Sequence, residues 1–266
     1  MSMRKYEILK ESLRKMGPLA VAFSGGADSA LLLYVAREAL GEYVLAMTAV
    51  AEAFPENESA EAEEFCRKYG IRQVIVPFQA LGVKEFRDNP PDRCYYCKKA
   101  LFRLFLDTAS KAGIGTVAEG SNLDDESDIR PGHRAIAELS IRSPLREAEL
   151  TKAEIRAISK ELGLPTWDKP SRACLASRVP YGEEITSEKL TRIGQAEQYL
   201  LDLGFTQVRV RSHENTARIE LLPEEMGRLL NEEVRTELVR RFKALGFLYV
   251  SLDLQGFRSG SMNEVL

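Results

Sequence analysis

The chain has 266 residues, 44% hydrophobic and 29% charged, with a net charge of −3. That is an ordinary globular composition, long enough for one large or two modest domains whose cores need no disulfide staples. A pI of 5.7 offers no global attraction to nucleic acid, so RNA- and DNA-binding classes are disfavoured. No stretch approaches the roughly 18 apolar residues that cross a bilayer. The opening MSMRKYEILKESLRKMG is charged and amphipathic, without the apolar segment of a secretory signal. A cytoplasmic protein with no membrane partner is expected, and there Cys66, Cys94, Cys97 and Cys174 stay reduced.

In chain order, PLAVAFSGG reads as a buried strand ending in a glycine turn, and DSALLLYVAREALG as the helix after it, stopped at Gly41. YVLAMTAV is the second strand, ENESAEAEEFCRKYG a helix, RQVIVPF the third strand, and GTVAEGSN the fourth after a loop and helix. Strands alternating with helices predict a parallel sheet covered on both faces, with ligands beyond the carboxyl ends of the strands. A charged helical region follows from Leu145 to Leu162, with Thr151 and Glu154 spaced as a capping box. LPTWDKPSRACLASRVPYGEE is a long irregular loop, of the kind that carries function or links domains. Beyond it come a helix, strands FTQVRVRS and TARIELL, a helix from Pro223 to Leu245 and a last strand FLYVSLDLQ. The expected fold class is α/β, a parallel-sheet domain over 1–179 and a smaller α/β domain over 180–266.

The chemistry starts at AFSGGADSALLL. Ser24, Gly25 and Gly26 follow a strand, while Asp28 and Ser29 open a helix. Glycines let successive N–H groups converge on an anion, the helix N-terminus adds positive charge, and the hydroxyls of Ser24 and Ser29 add donors. A carboxylate at Asp28 opposes phosphate unless Mg²⁺ bridges them. The pattern is neither GxxxxGK[ST] nor GxGxxG. It resembles the SGGxDS pyrophosphate loop of the PP-loop ATP pyrophosphatases (adenine nucleotide α-hydrolase-like), a resemblance that implies cleavage of ATP between the α and β phosphates and adenylation of a substrate oxygen. The plain alternative is a glycine turn between strand and helix. In EGSNLDD, Asn122 and Asp124 are either turn and cap residues or polar groups facing nucleotide and metal.

RCYYCK places Cys94 and Cys97 as CxxC, a spacing for one metal or a reactive disulfide. The histidines, His133 and His213, stand far from other ligands in sequence, so Cys174 is the natural third ligand. Three thiolates leave one position open and suit open-site chemistry better than structural zinc. Cys66, inside EAEEFCRKYG, is expected to be a packed core residue. Cys174, in SRACLASR between Arg172 and Arg178, reads as apolar filler, metal ligand or reactive sulfur. Arg209 and Arg211 share one face of VRVRS by period-two alternation, either solvated or gathering anions. Arg258 in GFRSGS has the glycine-flanked setting of an anion nest.

SGGADS, RCYYCK, EGSNLDD, PSRACLASRVPYGEEIT, RVRSHENTARIE and LDLQGFRSGSMNE, in that order, resemble the LarE family of ATP-dependent sulfur transferases over nearly the whole chain. The resemblance implies that the N-terminal domain adenylates a carboxylate of pyridinium-3,5-biscarboxylic acid mononucleotide and that the C-terminal domain helps bind this small-molecule substrate. The thiocarboxylate product contributes to the nickel-pincer nucleotide cofactor of lactate racemase, which implies a functional link to other proteins of that biosynthesis; a homo-oligomer is also expected. ATP and Mg²⁺ are implied at Ser24, Gly25, Gly26, Asp28, Ser29, Asn122 and Asp124. The family's sulfur-bearing cysteine falls on Cys174. In one branch it gives up its own sulfur; in the other, cysteines matching Cys94, Cys97 and Cys174 hold a [4Fe-4S] cluster whose extra sulfide is transferred, and the three cysteines here favour that branch. Arg178, Arg209, Arg211 and Arg258 are the candidate anion ligands for a substrate bearing carboxylates and a phosphate. A tRNA thiolase, which would need a basic RNA surface, and an ammonia-dependent PP-loop synthetase, which would not need three cysteines, are the rival enzymes; a non-catalytic adenine-nucleotide sensor is the rival from outside enzymology.

Overall fold

The computed structural model describes residues 2–54, 57–127, 131–170, 173–258 and 260–265. The chain divides into two compact units. The first is Met1–Gln79 with Asp92–Arg172; the second is Ala173–Leu266 together with Ala80–Pro91.

The first unit is a four-stranded parallel sheet of β1 (Leu19–Ala22), β2 (Val44–Val50), β3 (Arg72–Pro77) and β4 (Thr116–Ala118) in the order β3-β2-β1-β4. Successive side chains enter different cores, as a strand's period of two requires. Leu19 and Val21 join one buried cluster and Ala20 the other; Ala46 and Met47 divide the same way. Both faces are therefore apolar and covered, the condition under which parallel sheets occur. On one face lies the helix Ala27–Leu40, which buries Leu31, Leu32 and Leu33 in succession, so it is apolar around most of its circumference. The helix Ser2–Met16 covers it with Tyr6, Leu9 and Leu13, and the helix Lys152–Glu161 with Ile155 and Ile158. The helix Arg93–Lys111 packs Phe102 and Phe105 into the other core. Sheet order reverses at β1, between β2 and β4, and that reversal opens a crevice at the strands' carboxyl ends.

In the second unit, β5 (Val208–His213) and β6 (Thr216–Leu221) form an antiparallel hairpin, and β7 (Tyr249–Leu252) pairs parallel to β6. The helices Ser187–Asp202 and Glu232–Ala244 supply Ala196, Leu200, Leu238 and Phe242 to a core that also holds Val208, Val210, Ala217 and Ile219. Segment 80–91 is tied in by Asn89, fully buried at a φ of 57°. Its Nδ2 donates to the carbonyls of Val179, Pro180 and Glu183 at 3.3, 2.6 and 3.0 Å.

The helical region 145–162 divides into Pro144–Glu147 and Lys152–Glu161: Glu149 takes a positive φ of 55° and Thr151 starts a new helix with the expected capping box. The helix expected over 223–245 is broken. In 223–245, Asn231 accepts from Glu233 N at 3.0 Å and caps a fresh helix. Among the described residues no helix is long and apolar enough to cross a membrane.

Candidate functional site

Residues 23–26 connect β1 to the helix 27–40 at the switch point of the sheet. Their base is rigid. Phe23 N donates to Met47 O at 2.9 Å, Thr48 Oγ1 donates to Phe23 O at 2.9 Å, and Gln73 Nε2 donates to Thr48 Oγ1 at 2.8 Å. Gly25 has a φ of +72°, and a Cβ there would make ordinary contacts of 3.6 Å or more. The backbone angle, not space, requires glycine. Gly26 is the helix N-cap, with its N–H 3.4 Å from Ser24 Oγ. Ser24 Oγ and Ser29 Oγ lie 3.2 Å apart, and Ser29 Oγ donates to Gly26 O at 3.2 Å. Two hydroxyls and the N–H groups of a helix start thus share one turn, an arrangement that binds phosphate oxygens.

The end of β4 abuts this loop. A Cβ on Gly120 would fall 3.0 Å from Ser29 N and 3.2 Å from Ser29 Cα, so glycine there lets the EGSNLDD segment approach the helix start. Glu119, buried, accepts from Ser121 N, Ser121 Oγ and Ser143 Oγ at 3.1, 2.8 and 2.6 Å and serves to hold the strand end. Asn122 does two things: its Oδ1 accepts from Asp124 N at 2.9 Å, and its Nδ2 reaches Asp28 Oδ1 at 3.5 Å. Asp124 Oδ2 accepts from Lys152 N at 2.8 Å. Asp28 is half-buried and ion-paired with Lys152 Nζ. The carboxylate of Asp28 is a hard oxygen donor of the type Mg²⁺ takes, and Asn122 turns its amide Nδ2 toward it.

Lys152, Lys169 and Gly120 were not singled out from sequence. Lys152 is the first residue of its helix, where the dipole mildly disfavours a cation; its pairing with Asp28 across 124 residues is visible only in the fold. Lys169 Nζ donates to Gly25 O at 2.9 Å and pairs with Glu61.

The Cys174 loop belongs to the second unit. Cys174 is half-buried and precedes the short 3-10 turn Leu175–Arg178. Arg178 is 1% exposed. Its Nε and Nη2 form a fork on Glu197 at 2.7 and 2.8 Å, and its Nη1 donates to Ala173 O, Cys174 O and Ser177 Oγ at 2.8, 3.0 and 2.8 Å. Arg211, 4% exposed, forks onto Glu220 at 2.9 and 2.8 Å and donates to Ser177 O at 2.6 Å and Ser261 Oγ at 2.7 Å. These two arginines hold the backbone on which Cys174 sits. Arg172 lies outside the described residues.

Arg209 and Arg211 do share a face of β5, which is not solvated. Arg209 is half-buried, its Nη1 donates to Val208 O at 3.0 Å, and its guanidinium stands 5.0 Å from the Phe257 ring. Burial, then the like charge of Arg178, pulls its pKa down to about 10. A guanidinium stays charged even so, and an anion brought beside it would relieve that like-charge repulsion. Arg258 is held by Glu264, with Nε to Oε1 at 3.1 Å, which raises its pKa, and its Nη1 donates to Gly256 O at 3.1 Å.

Cys94 and Cys97 lie one turn apart in the first turn of the helix 93–111 of the first unit, Cys94 exposed and Cys97 half-buried. All four cysteines are thiols, and Cys66 is a core residue whose pKa burial pushes up to about 12.

Comparison with known proteins fits this geometry. The asparagine synthase family model matches residues 6–97, from the first helix through the pyrophosphate loop to the CxxC pair. A chain of the glutamine-hydrolysing GMP synthase of Thermoplasma volcanium is 28% identical over 68% of this chain and 63% of its own. An uncharacterised Synechocystis protein is 44% identical over 98% of both chains. The pyridinium-3,5-bisthiocarboxylic acid mononucleotide synthase of Lactiplantibacillus plantarum is 39% identical over 98% of this chain and 95% of its own. With this near-complete match and a pyrophosphate loop built at the switch point of its sheet, the chain belongs to the LarE family of ATP-dependent sulfur transferases.

Proposed function

We propose that the protein adenylates a carboxylate of pyridinium-3,5-biscarboxylic acid mononucleotide and converts it to a thiocarboxylate, a step toward a nickel-pincer nucleotide cofactor. The observation that carries this reading is the pyrophosphate loop, with Asp28 at its helix start, in a chain that also pins Cys174 by a dedicated arginine. Ser24, Gly25, Gly26 and Ser29 hold the phosphates of ATP; Asp28, Asn122 and Asp124 serve the metal side. Asp28 would hold Mg²⁺, which would offset the charge that leaves with pyrophosphate. The substrate carboxylate attacks the α-phosphorus and pyrophosphate departs. The acyl adenylate then has AMP as its leaving group and is open to a sulfur nucleophile.

Cys174 stands at the sulfur step. Reduced thiols one helical turn apart at Cys94 and Cys97 have the donor chemistry and spacing of cluster ligands, and with Cys174 they would hold a [4Fe-4S] cluster. Such a cluster would supply a sulfide as nucleophile. The second route, in which Cys174 gives up its own sulfur, rests on the fixed carbonyls at Ala173 and Cys174 that set its backbone. Arg178, Arg209, Arg211 and Arg258 are the candidate arginines for the substrate's anionic groups; Arg178 and Arg211 also hold the Cys174 loop, and Arg258 is paired with Glu264.

Cys174→Ala tests the assignment. Sulfur transfer is expected to vanish while pyrophosphate release and acyl-adenylate formation continue; loss of ATP binding in that variant would remove the role given to Cys174. Iron and sulfide analysis of anaerobically purified protein, with Cys94→Ala as control, separates the two sulfur sources. Intact mass after turnover does so independently, because a sacrificed cysteine becomes dehydroalanine.

A further inference from the structure

Phosphate binding by the loop depends on which way its peptides face, and glycine leaves that open. Gly25 at a φ of +72° is followed by Gly26, and neither has a Cβ to select one peptide orientation. The plane between them is trans, so the Gly25 carbonyl and the Gly26 N–H point in opposite directions. Whatever holds the carbonyl sets the N–H.

Lys169 holds it. Its Nζ donates to Gly25 O at 2.9 Å across 144 residues of sequence, and its side chain is 14% exposed and ion-paired with Glu61 of the helix Asn57–Lys68. The lysine is itself fixed. Arg156 donates to Lys169 O at 2.9 Å and to Trp167 O at 3.4 Å, and Lys160 Nζ lies 4.5 Å from the Trp167 ring centre. The opposite end of the peptide, Gly26 N, lies on the side of the Ser24 hydroxyl at 3.4 Å, a contact too long to orient it firmly.

We propose that Lys169 is a positioning residue of the pyrophosphate loop: by anchoring the Gly25 carbonyl it keeps the Gly26 N–H turned to the side of the Ser24 and Ser29 hydroxyls, preformed for an ATP phosphate. The role rests on ATP use by this loop, as read above. Lys169 acts through the peptide, not by touching phosphate, and Glu61 keeps its ammonium in place.

The test is ATP–pyrophosphate exchange with the pyridinium dicarboxylate mononucleotide, comparing the wild type with Lys169→Met, Lys169→Arg and Glu61→Gln. Lys169→Met is expected to raise KM for ATP about tenfold, the scale of one charge-assisted hydrogen bond, with kcat within about twofold and KM for the mononucleotide unchanged. Lys169→Arg, which keeps the donor, restores most of the loss, and Glu61→Gln, whose amide oxygen still accepts from Nζ, raises KM for ATP by less than Lys169→Met does. Should Lys169→Met not fold, Lys169→Gln against Lys169→Arg carries the same comparison. A wild-type KM for ATP in Lys169→Met overturns the inference, and so does a loss confined to sulfur transfer. Tighter ATP binding in Glu61→Gln also overturns it, because the freed lysine would then be a direct phosphate ligand. A wild type that catalyses no exchange removes the underlying reading as well; exchange in the wild type with an unchanged Lys169→Met removes the inference alone.

Discussion

The pyrophosphate loop and the Cys174 loop are both irregular segments steadied by charged side chains, yet they are built on opposite terms. Around the pyrophosphate loop the charges are partly exposed: the side chains of Asp28 and Lys152 are 24% and 32% exposed. Ions in such surroundings exchange partners at little cost, because water shares their solvation. At the Cys174 loop, Arg178 and Arg211 are buried in forks on Glu197 and Glu220. A buried pair is costly to break, since separation strands a charge in a poorly solvated interior. In the proposed reaction one loop accepts a new anion and later releases pyrophosphate, and the other keeps a backbone still. Partial exposure suits the first task and burial suits the second.

Four substitutions bear on that contrast. Asp28→Asn should reduce pyrophosphate release by about 100-fold or more, the scale of one lost electrostatic group at a reacting centre, while thermal denaturation moves little, because the Lys152 pair is partly exposed. A large fall in melting temperature would place this ion pair among the structural ones. Glu197→Gln should do the reverse and destabilise the second unit by about 3–5 kcal/mol, as expected when a buried guanidinium loses its carboxylate. Urea denaturation reads that directly, and a cost below about 1 kcal/mol would mean that Arg178 finds water or another acceptor. Gly120→Ala forces a Cβ to 3.0 Å from Ser29 N. It should cost about 1–3 kcal/mol as overpacking and raise KM for ATP by shifting the loop; unchanged kinetics would separate the β4 end from the nucleotide site. The smallest effect belongs to Thr151→Ala, about 1 kcal/mol from the lost cap, with ATP kinetics unaltered if Lys152 still reaches Asp28.

Much of the first unit was legible because its signals are local. The alternation of apolar and helical segments predicts the parallel sheet, and SGGADS after a strand predicts a loop and helix start, each within a few residues of sequence. The capping box at Thr151 and Glu154 was equally local, and so was the burial of Cys66. The break in 223–245 was less visible: Asn231 is tolerated inside a helix as a residue type, and here it is a new N-cap. Alternation also placed Arg209 and Arg211 on one face of β5. It could not tell that Ser177 O and Ser261 Oγ cover Arg211.

The sequence by itself determined where a glycine turn joins a strand to a helix start, which segments become strands and helices, and which side chains carry charge or sulfur, because these follow from spacing and residue type. Tertiary structure alone decided partnership. Asp28 meets Lys152 from 124 residues away, Gly25 meets Lys169 from 144, and Arg178 meets Glu197 from 19. A charge advertises its sign along the chain but not its partner or its burial, and those two properties separate an ion that can exchange from one that holds a loop in place.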